Sequence, residues 1–197
     1  MRIISGKWKG RGLILPPLSI TRPTTDRVRE ALFSAILSRI ESFDGKIILD
    51  AFAGSGALGL ESLSRGCKHV VFAEKNIHSR RVLLKNTQSL DCLNMVSILN
   101  DIFDIRKNIN SDSSIVFDIV FMDPPYGLGL EFDLASALVE NENLKHGSLI
   151  VLETDSKNVP ENLLFFECID IKRYGKSTIS LWSFPQTKNV FLKTHVL

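Results

Sequence analysis

An apolar run, Phe117-Asp-Ile-Val-Phe-Met122, leads straight into Asp123-Pro124-Pro125-Tyr126, with Gly127 after it. Consecutive prolines hold the backbone, remove two N–H donors and leave carbonyls pointing outward. A carboxylate that only accepts hydrogen bonds precedes them, and an aromatic plane follows. This set suits a planar group bearing an NH₂. The Asp123 carboxylate and the Pro124 carbonyl can each accept one N–H of an exocyclic amine. Such an amine is a poor nucleophile, because its lone pair is delocalised into the ring. Two acceptors favour the geometry that turns the lone pair toward an electrophile, and they stabilise the positive charge that develops on nitrogen. Pro125 stiffens the exit, and Tyr126 offers a face on which a base can stack. A base inside a duplex is out of reach, so the substrate would be single-stranded or flipped out.

A second constellation lies upstream. Asp50-Ala-Phe52-Ala53-Gly54-Ser55-Gly56-Ala-Leu-Gly59 follows a short apolar run and opens a helical pattern, and Glu74 stands 20 residues after Gly54. Gly54, Gly56 and Gly59 satisfy G-x-G-x-x-G, and Glu74 satisfies the acidic position that binds ribose hydroxyls. Glycines let the backbone approach a ligand, and a carboxylate after the second strand accepts two hydroxyl hydrogen bonds. Any adenosine-containing cofactor could use this arrangement, including a nicotinamide dinucleotide. Asp101, in Asn100-Asp101-Ile102-Phe-Asp104, follows a third apolar run. By itself it reads as a solvated loop carboxylate.

Three resemblances narrow this. Asp50-x-Phe52-Ala53-Gly54-Ser55-Gly56 resembles motif I of the class I S-adenosylmethionine-dependent methyltransferases. Asp123 to Tyr126 is similar to the [D/N]-P-P-[Y/F] signature of amino-methyltransferases acting on adenine, guanine or glutamine amides. Arg2-Ile-Ile-Ser-Gly-Lys7-Trp8-Lys9-Gly-Arg11-Gly-Leu13, with Arg22-Pro-Thr24-Thr25-Asp-Arg-Val-Arg29-Glu30, resembles the bacterial family that methylates the guanine 2-amino group in 16S ribosomal RNA. Ser5 departs from the glycine usual in that family, and the resemblance covers residues 1–184.

What the resemblance implies can be stated residue by residue. S-adenosylmethionine would be held by Asp50, Phe52, Ala53, Gly54, Ser55, Gly56, Gly59, Glu74 and Lys75, with Asp101 and Ile102 at the adenine. Asp123, Pro124, Pro125 and Tyr126 would be catalytic. Arg2, Lys7, Trp8, Lys9, Arg11, Arg22, Thr24 and Arg29 would contact RNA, with cations on phosphates and the Trp8 indole against a base. No metal is expected. A DNA adenine methyltransferase shares both motifs, but usually adds a recognition domain for which 197 residues leave little room. A dehydrogenase would leave Asp123-Pro-Pro-Tyr unexplained.

The elements that must position these residues are legible from periodicity. A hairpin over the first residues is expected, from two β-prone runs flanking Gly6-Lys-Trp-Lys-Gly-Arg-Gly12. Val28, Leu32, Phe33, Ile36, Leu37 and Ile40 predict an amphipathic helix ending near Asp44-Gly45. Strands are predicted at 47–50, 70–74, 96–99, 117–122 and 149–153, and helices from the glycine loop to Gly66, over 77–90 and around 132–139. Alternation of this kind implies a parallel sheet covered on both faces. Strands at 164–172 and 177–184, turning at Tyr174-Gly175, predict an antiparallel edge hairpin. The fold class expected from this pattern is α/β, and the resemblance implies a Rossmann-like class I methyltransferase with a seven-stranded, mostly parallel sheet, an antiparallel C-terminal hairpin and an N-terminal β-hairpin arm. Its expected strand order, implied by the family, is 3-2-1-4-5-7-6. One domain over 1–184 is expected, with a basic arm (1–30), a catalytic body (31–184) and a tail (185–197).

Composition agrees with a globular chain, 44% hydrophobic and 23% charged. The formal net charge is only +2. Residues 1–30 hold seven cations and two acids, a net of +5, which leaves −3 for the remainder. A basic front end on a mildly acidic body fits a chain that meets RNA at one end. Three scattered cysteines without a C-x-x-C pair point to reduced thiols. No signal-peptide run or bilayer-length apolar stretch is read, so a monomeric cytoplasmic enzyme is expected, acting on 16S ribosomal RNA either naked or in an assembling subunit.

Overall fold

The structure is a computed structural model that describes residues 1–17, 26–104, 115–125 and 127–185. It comprises two compact units, Met1–Asp104 and Ile105–Leu197. In the first, helix α1 (Asp26–Leu37) precedes strand β1 (Ile47–Asp50), helix α2 (Ala57–Ser64), strand β2 (His69–Ala73), helix α3 (Ile77–Ser89) and strand β3 (Val96–Leu99). In the second, strand β4 (Phe117–Met122) precedes helix α4 (Leu130–Glu140) and strands β5 (Leu144–Asp155), β6 (Glu167–Tyr174) and β7 (Ser177–Ser183). The strand order is β3-β2-β1 within the first unit and β4-β5-β7-β6 within the second, each as expected.

Ile48, Leu49, Val70, Val71 and Phe72 are buried, as continuous apolar runs in parallel strands must be. β1 and β2 pair in parallel from Ile47↔His69 to Asp50↔Phe72, and β2 and β3 from Val70↔Val96 to Ala73↔Leu99. In the second unit β4 runs parallel to β5, whereas β5–β7 and β7–β6 are antiparallel.

Four boundaries differ from expectation by more than two residues or in kind. β5 is longer than 149–153. Gly147 has a left-handed φ of 80°, and the β4–β5 register jumps from Phe117↔Leu144 to Ile119↔Leu149, so the extra residues are absorbed in an irregularity. β6 begins at Glu167 and not at 164, because Leu164 turns at φ 49° and the Phe166 N–H bonds the Leu163 carbonyl. α1 stops at Leu37, seven residues short, and the chain continues in turns to Gly45 at φ 71°. The front end forms one antiparallel bridge, Arg2↔Gly12, in place of two strands. Burial pushes the Cys67 thiol up to about 12 and the Cys92 thiol up to about 11, so both stay protonated near neutrality.

Candidate active site and nucleic-acid interface

β1 delivers Asp50 to the start of the glycine loop, and β2 delivers Glu74 beside it. The Ala53 N–H bonds the Ala73 carbonyl at 3.0 Å, which prolongs the strand pairing into the loop. The Gly54 N–H then donates to Glu74 Oε2 at 2.8 Å. Glu74 Oε1 accepts the Asn76 N–H at 2.7 Å. The carboxylate is thus aimed by two backbone donors and retains lone pairs for further hydroxyls. Gly56 sits at φ 80° as the residue before α2, a conformation that favours glycine. Gly59 answers a different need: a Cβ there would strike the Phe72 ring, so only glycine lets α2 lie this close to β2.

Asp50, 4% exposed, does not project outward; its Oδ2 accepts the Gly59 N–H at 3.0 Å and ties the strand to the helix. Burial pushes its carboxyl up to about 7, the Gly59 N–H opposes the rise, and the Glu74 charge adds to it. Folding therefore favours the protonated form. The stability linked to Asp50 is greatest at acid pH and is lost as pH rises from about 4 to about 7, a loss on the order of 4 kcal/mol. Asp50→Asn, which keeps an acceptor for Gly59, should raise the melting temperature relative to the parent at pH 8 and not at pH 4. Identical pH profiles for the two proteins in thermal unfolding would refute this.

Asp101 Oδ1 accepts the Phe103 N–H at 3.0 Å and opens the short turn Ile102–Asp104, in which Ile102 is buried. Lys75 Nζ lies 3.9 Å from Asp101 Oδ2, bringing these two predicted residues together at the rim. Phe52 is half-buried and Ser55 buried, flanking the glycines. In the second unit, Asp123 and Pro125 stand exposed at the end of β4 while Pro124 is buried. Tyr126, Arg22, Thr24 and Thr25 lie outside the described residues, as does the tail from 186.

The front end is where expectation needs correction. Trp8 is 8% exposed, so its indole is packed and not offered to a base. The reason is that the arm is docked along α2 and α3. Glu61 on α2, fully buried, accepts the N–H groups of Ile4 at 2.7 Å and Ser5 at 3.0 Å. Ser64 Oγ accepts the Trp8 N–H, and the Ser64 carbonyl accepts that of Lys7 at 2.7 Å. Asn86 on α3 pairs with both backbone groups of Ile14 at 2.9 Å, and its amide also donates to the Ser55 carbonyl in the glycine loop.

Arg29 is also withdrawn from an RNA-facing role, being 0% exposed. Its Nη2 donates to Asp26 Oδ1 at 2.8 Å and to the Arg2 carbonyl at 2.6 Å, and that hydrogen bond holds Asp26 below the usual carboxylate range. Arg2, Lys7, Lys9 and Arg11 remain exposed on the docked arm. Sequence reasoning missed Glu61, Ser64 and Asn86. Their partners include backbone groups from 31 to 72 residues away, which no periodicity reports; the local cue is the Glu61–Arg65 pair one turn apart.

Comparison with known proteins follows the same lines. Residues 1–183 match the family model described as "Conserved hypothetical protein 95". The chain is 39% identical to Ribosomal RNA small subunit methyltransferase D of Haemophilus influenzae, over 82% of this chain and 84% of that one. The solved structure of yhhF from Escherichia coli is 31% identical, with a TM-score of 0.78, covering 94% of this chain and 98% of that one. In fold it is also like an RNA methyltransferase from Salinibacter ruber in complex with S-adenosyl-L-homocysteine, with a TM-score of 0.54 at 18% identity, over 83% and 94% of the two chains.

Proposed function

The chain belongs to the family described as conserved hypothetical protein 95, together with the ribosomal RNA small subunit methyltransferases D, and from this premise we propose that it transfers a methyl group from S-adenosylmethionine to the exocyclic 2-amino group of one guanine in 16S ribosomal RNA. The observation that carries the reading is the Asp123-Pro-Pro-Tyr126 exit from β4, in a chain whose glycine loop is locked to Glu74.

The residues present fit the cofactor. Glu74, aimed by Gly54 and Asn76, has the acceptor capacity for a ribose diol. The glycine loop offers backbone without side chains; Gly56 brings no side chain to cap α2, and with the Gly59 N–H taken by Asp50, N–H groups ahead of it would be left for the amino-acid carboxylate. Asp101 and Ile102 supply an acceptor and an apolar wall for adenine. When bound, S-adenosylmethionine supplies a methyl group on a positively charged sulfur.

Asp123 and the Pro124 carbonyl each accept a hydrogen bond from one amine N–H and so orient the nitrogen lone pair, and Tyr126 stacks on the base. Once the bound cofactor had supplied its methyl group to the nitrogen, the one surplus proton of the methylated amine would leave to Asp123 or water. No strong general base is required, because the amine becomes acidic only once it is methylated. Exposed cations of the arm neutralise phosphates, and residues 1–184 act as one catalytic domain.

Deleting the gene and mapping the small-subunit RNA should show one guanine without its 2-amino methyl group, restored when this chain is returned. Loss of a methyl group from a different atom, or no loss, would overturn the proposal.

A further inference from the structure

Helix α3 carries Arg80, Arg81 and Lys85 and no carboxylate. Arg80 is engaged locally, its Nη1 donating to the Glu74 carbonyl at 3.2 Å. Arg81 and Lys85 are exposed and one turn apart, so they share a face, and Ser89 continues the same stripe. Two like charges at this spacing repel, which costs helix stability and calls for a compensating partner. Among the described residues neither cation is paired with a carboxylate.

The arm reaches this stripe. Arg11 Nη2 donates to the Ser89 carbonyl at 2.7 Å, on the exposed side of the helix end. Lys7, exposed, belongs to the same docked segment, its backbone N–H held by the Ser64 carbonyl at 2.7 Å and its Nζ lying 5.2 Å from the Trp8 ring centroid. The cations of the arm and those of the helix therefore adjoin, running from the docked hairpin along α3 toward the turn that follows Glu74. Leu84, 42% exposed and adjacent to Lys85, adds an apolar surface suited to a sugar or base face.

We propose that Lys7, Arg11, Lys85 and Arg81 form one track that holds consecutive phosphates of the substrate RNA, so that α3 is part of the RNA-binding surface. This inference rests on the RNA-methylating function proposed above, and adds a recognition surface on a helix that lies outside the arm.

The test uses the full chain with small-subunit RNA purified from cells lacking the gene. Replacing Arg81→Ala together with Lys85→Ala should raise the KM for RNA about tenfold at physiological salt. It should also lower the slope of log affinity against log salt by about 1.4 for single-stranded contacts, or about 1.8 for duplex contacts. The kcat and the affinity for S-adenosylhomocysteine should not change. The swap Arg81→Lys with Lys85→Arg should retain the parental slope. An unchanged slope and KM in the alanine pair overturns the track. So does an equal loss of S-adenosylhomocysteine binding, which would mean that the face acts through the fold. A parent chain that binds and methylates no RNA overturns the function itself, and is told apart because the parent also fails.

Discussion

Asp123→Ala should lower kcat for methyl transfer by about 10²- to 10³-fold while leaving S-adenosylhomocysteine affinity within twofold of the parent, the size expected for removing one preorganised acceptor at a site of developing charge. The separation of the two effects follows from position. The groups fitted to the cofactor, from Gly54 to Glu74, belong to the first unit, whereas Asp123 stands exposed at the end of β4 in the second. Exposure of Asp123 also limits damage to stability, since an alanine there opens no cavity. Asp123→Asn is the sharper variant. Its amide keeps one acceptor but introduces a donor facing the substrate amine, so it should recover part of the rate only if acceptance of one N–H, and not the negative charge, is what matters. Radiolabelled methyl incorporation beside a calorimetric titration measures both quantities. Undiminished turnover in Asp123→Ala would sink the mechanism, and a parallel loss of cofactor binding would reassign Asp123 to the cofactor.

The parts of this site that could be read from residues alone are those whose physics is local. β1, β2 and β4 are legible because a strand buried on both faces must be a short apolar run, as in Ile47-Ile-Leu and Val70-Val-Phe. The glycine loop is legible because its φ values and close approaches demand glycine at fixed spacing, as Gly56 and Gly59 show. The arm misleads for the complementary reason. Gly6-Lys-Trp-Lys-Gly-Arg has the composition of a mobile basic loop, yet the Ser5 N–H just before it finds Glu61, and the Trp8 N–H within it finds Ser64, each 56 residues on. Trp8 and Arg29 were expected at the surface because aromatic and cationic residues in a glycine-rich front end favour it. Trp8 is buried because Ser64 anchors its backbone against α2 and its indole is apolar, and Arg29 because its Nη2 meets Asp26 and the Arg2 carbonyl, although Nε and Nη1 find no hydrogen-bond partner. Likewise the length of β5 depends on a register jump against β4, a property of the pair and of neither strand.

The docked arm supports one more large effect. Glu61 is a wholly buried carboxylate with three donors: the Ile4 and Ser5 N–H groups and Arg65 Nε at 2.8 Å. Arg65 in turn lies over the Phe33 ring, 4.6 Å from its centroid, so the clamp ties the arm, α2 and α1 together. Glu61→Ala strands two backbone donors and a guanidinium at once, a loss on the order of 3–5 kcal/mol that corresponds to roughly 6–20 °C in melting temperature for a chain of this size. Glu61→Gln keeps one acceptor oxygen and should fall between the two. The consequence does not stop at stability. Freed at Ile4 and Ser5, the arm also loses purchase at Ile14, whose partner Asn86 holds the Ser55 carbonyl of the glycine loop. Loosening the arm should therefore raise the KM for RNA and weaken S-adenosylhomocysteine binding together, whereas Arg81→Ala with Lys85→Ala moves only the first. Thermal unfolding followed by circular dichroism, with both binding measurements made well below the new melting point, separates the cases. A Glu61→Ala chain that melts within about 2 °C of the parent would mean that the arm is held by its apolar contacts, Ile3, Trp8 and Leu13, and that the carboxylate merely fills its place among them.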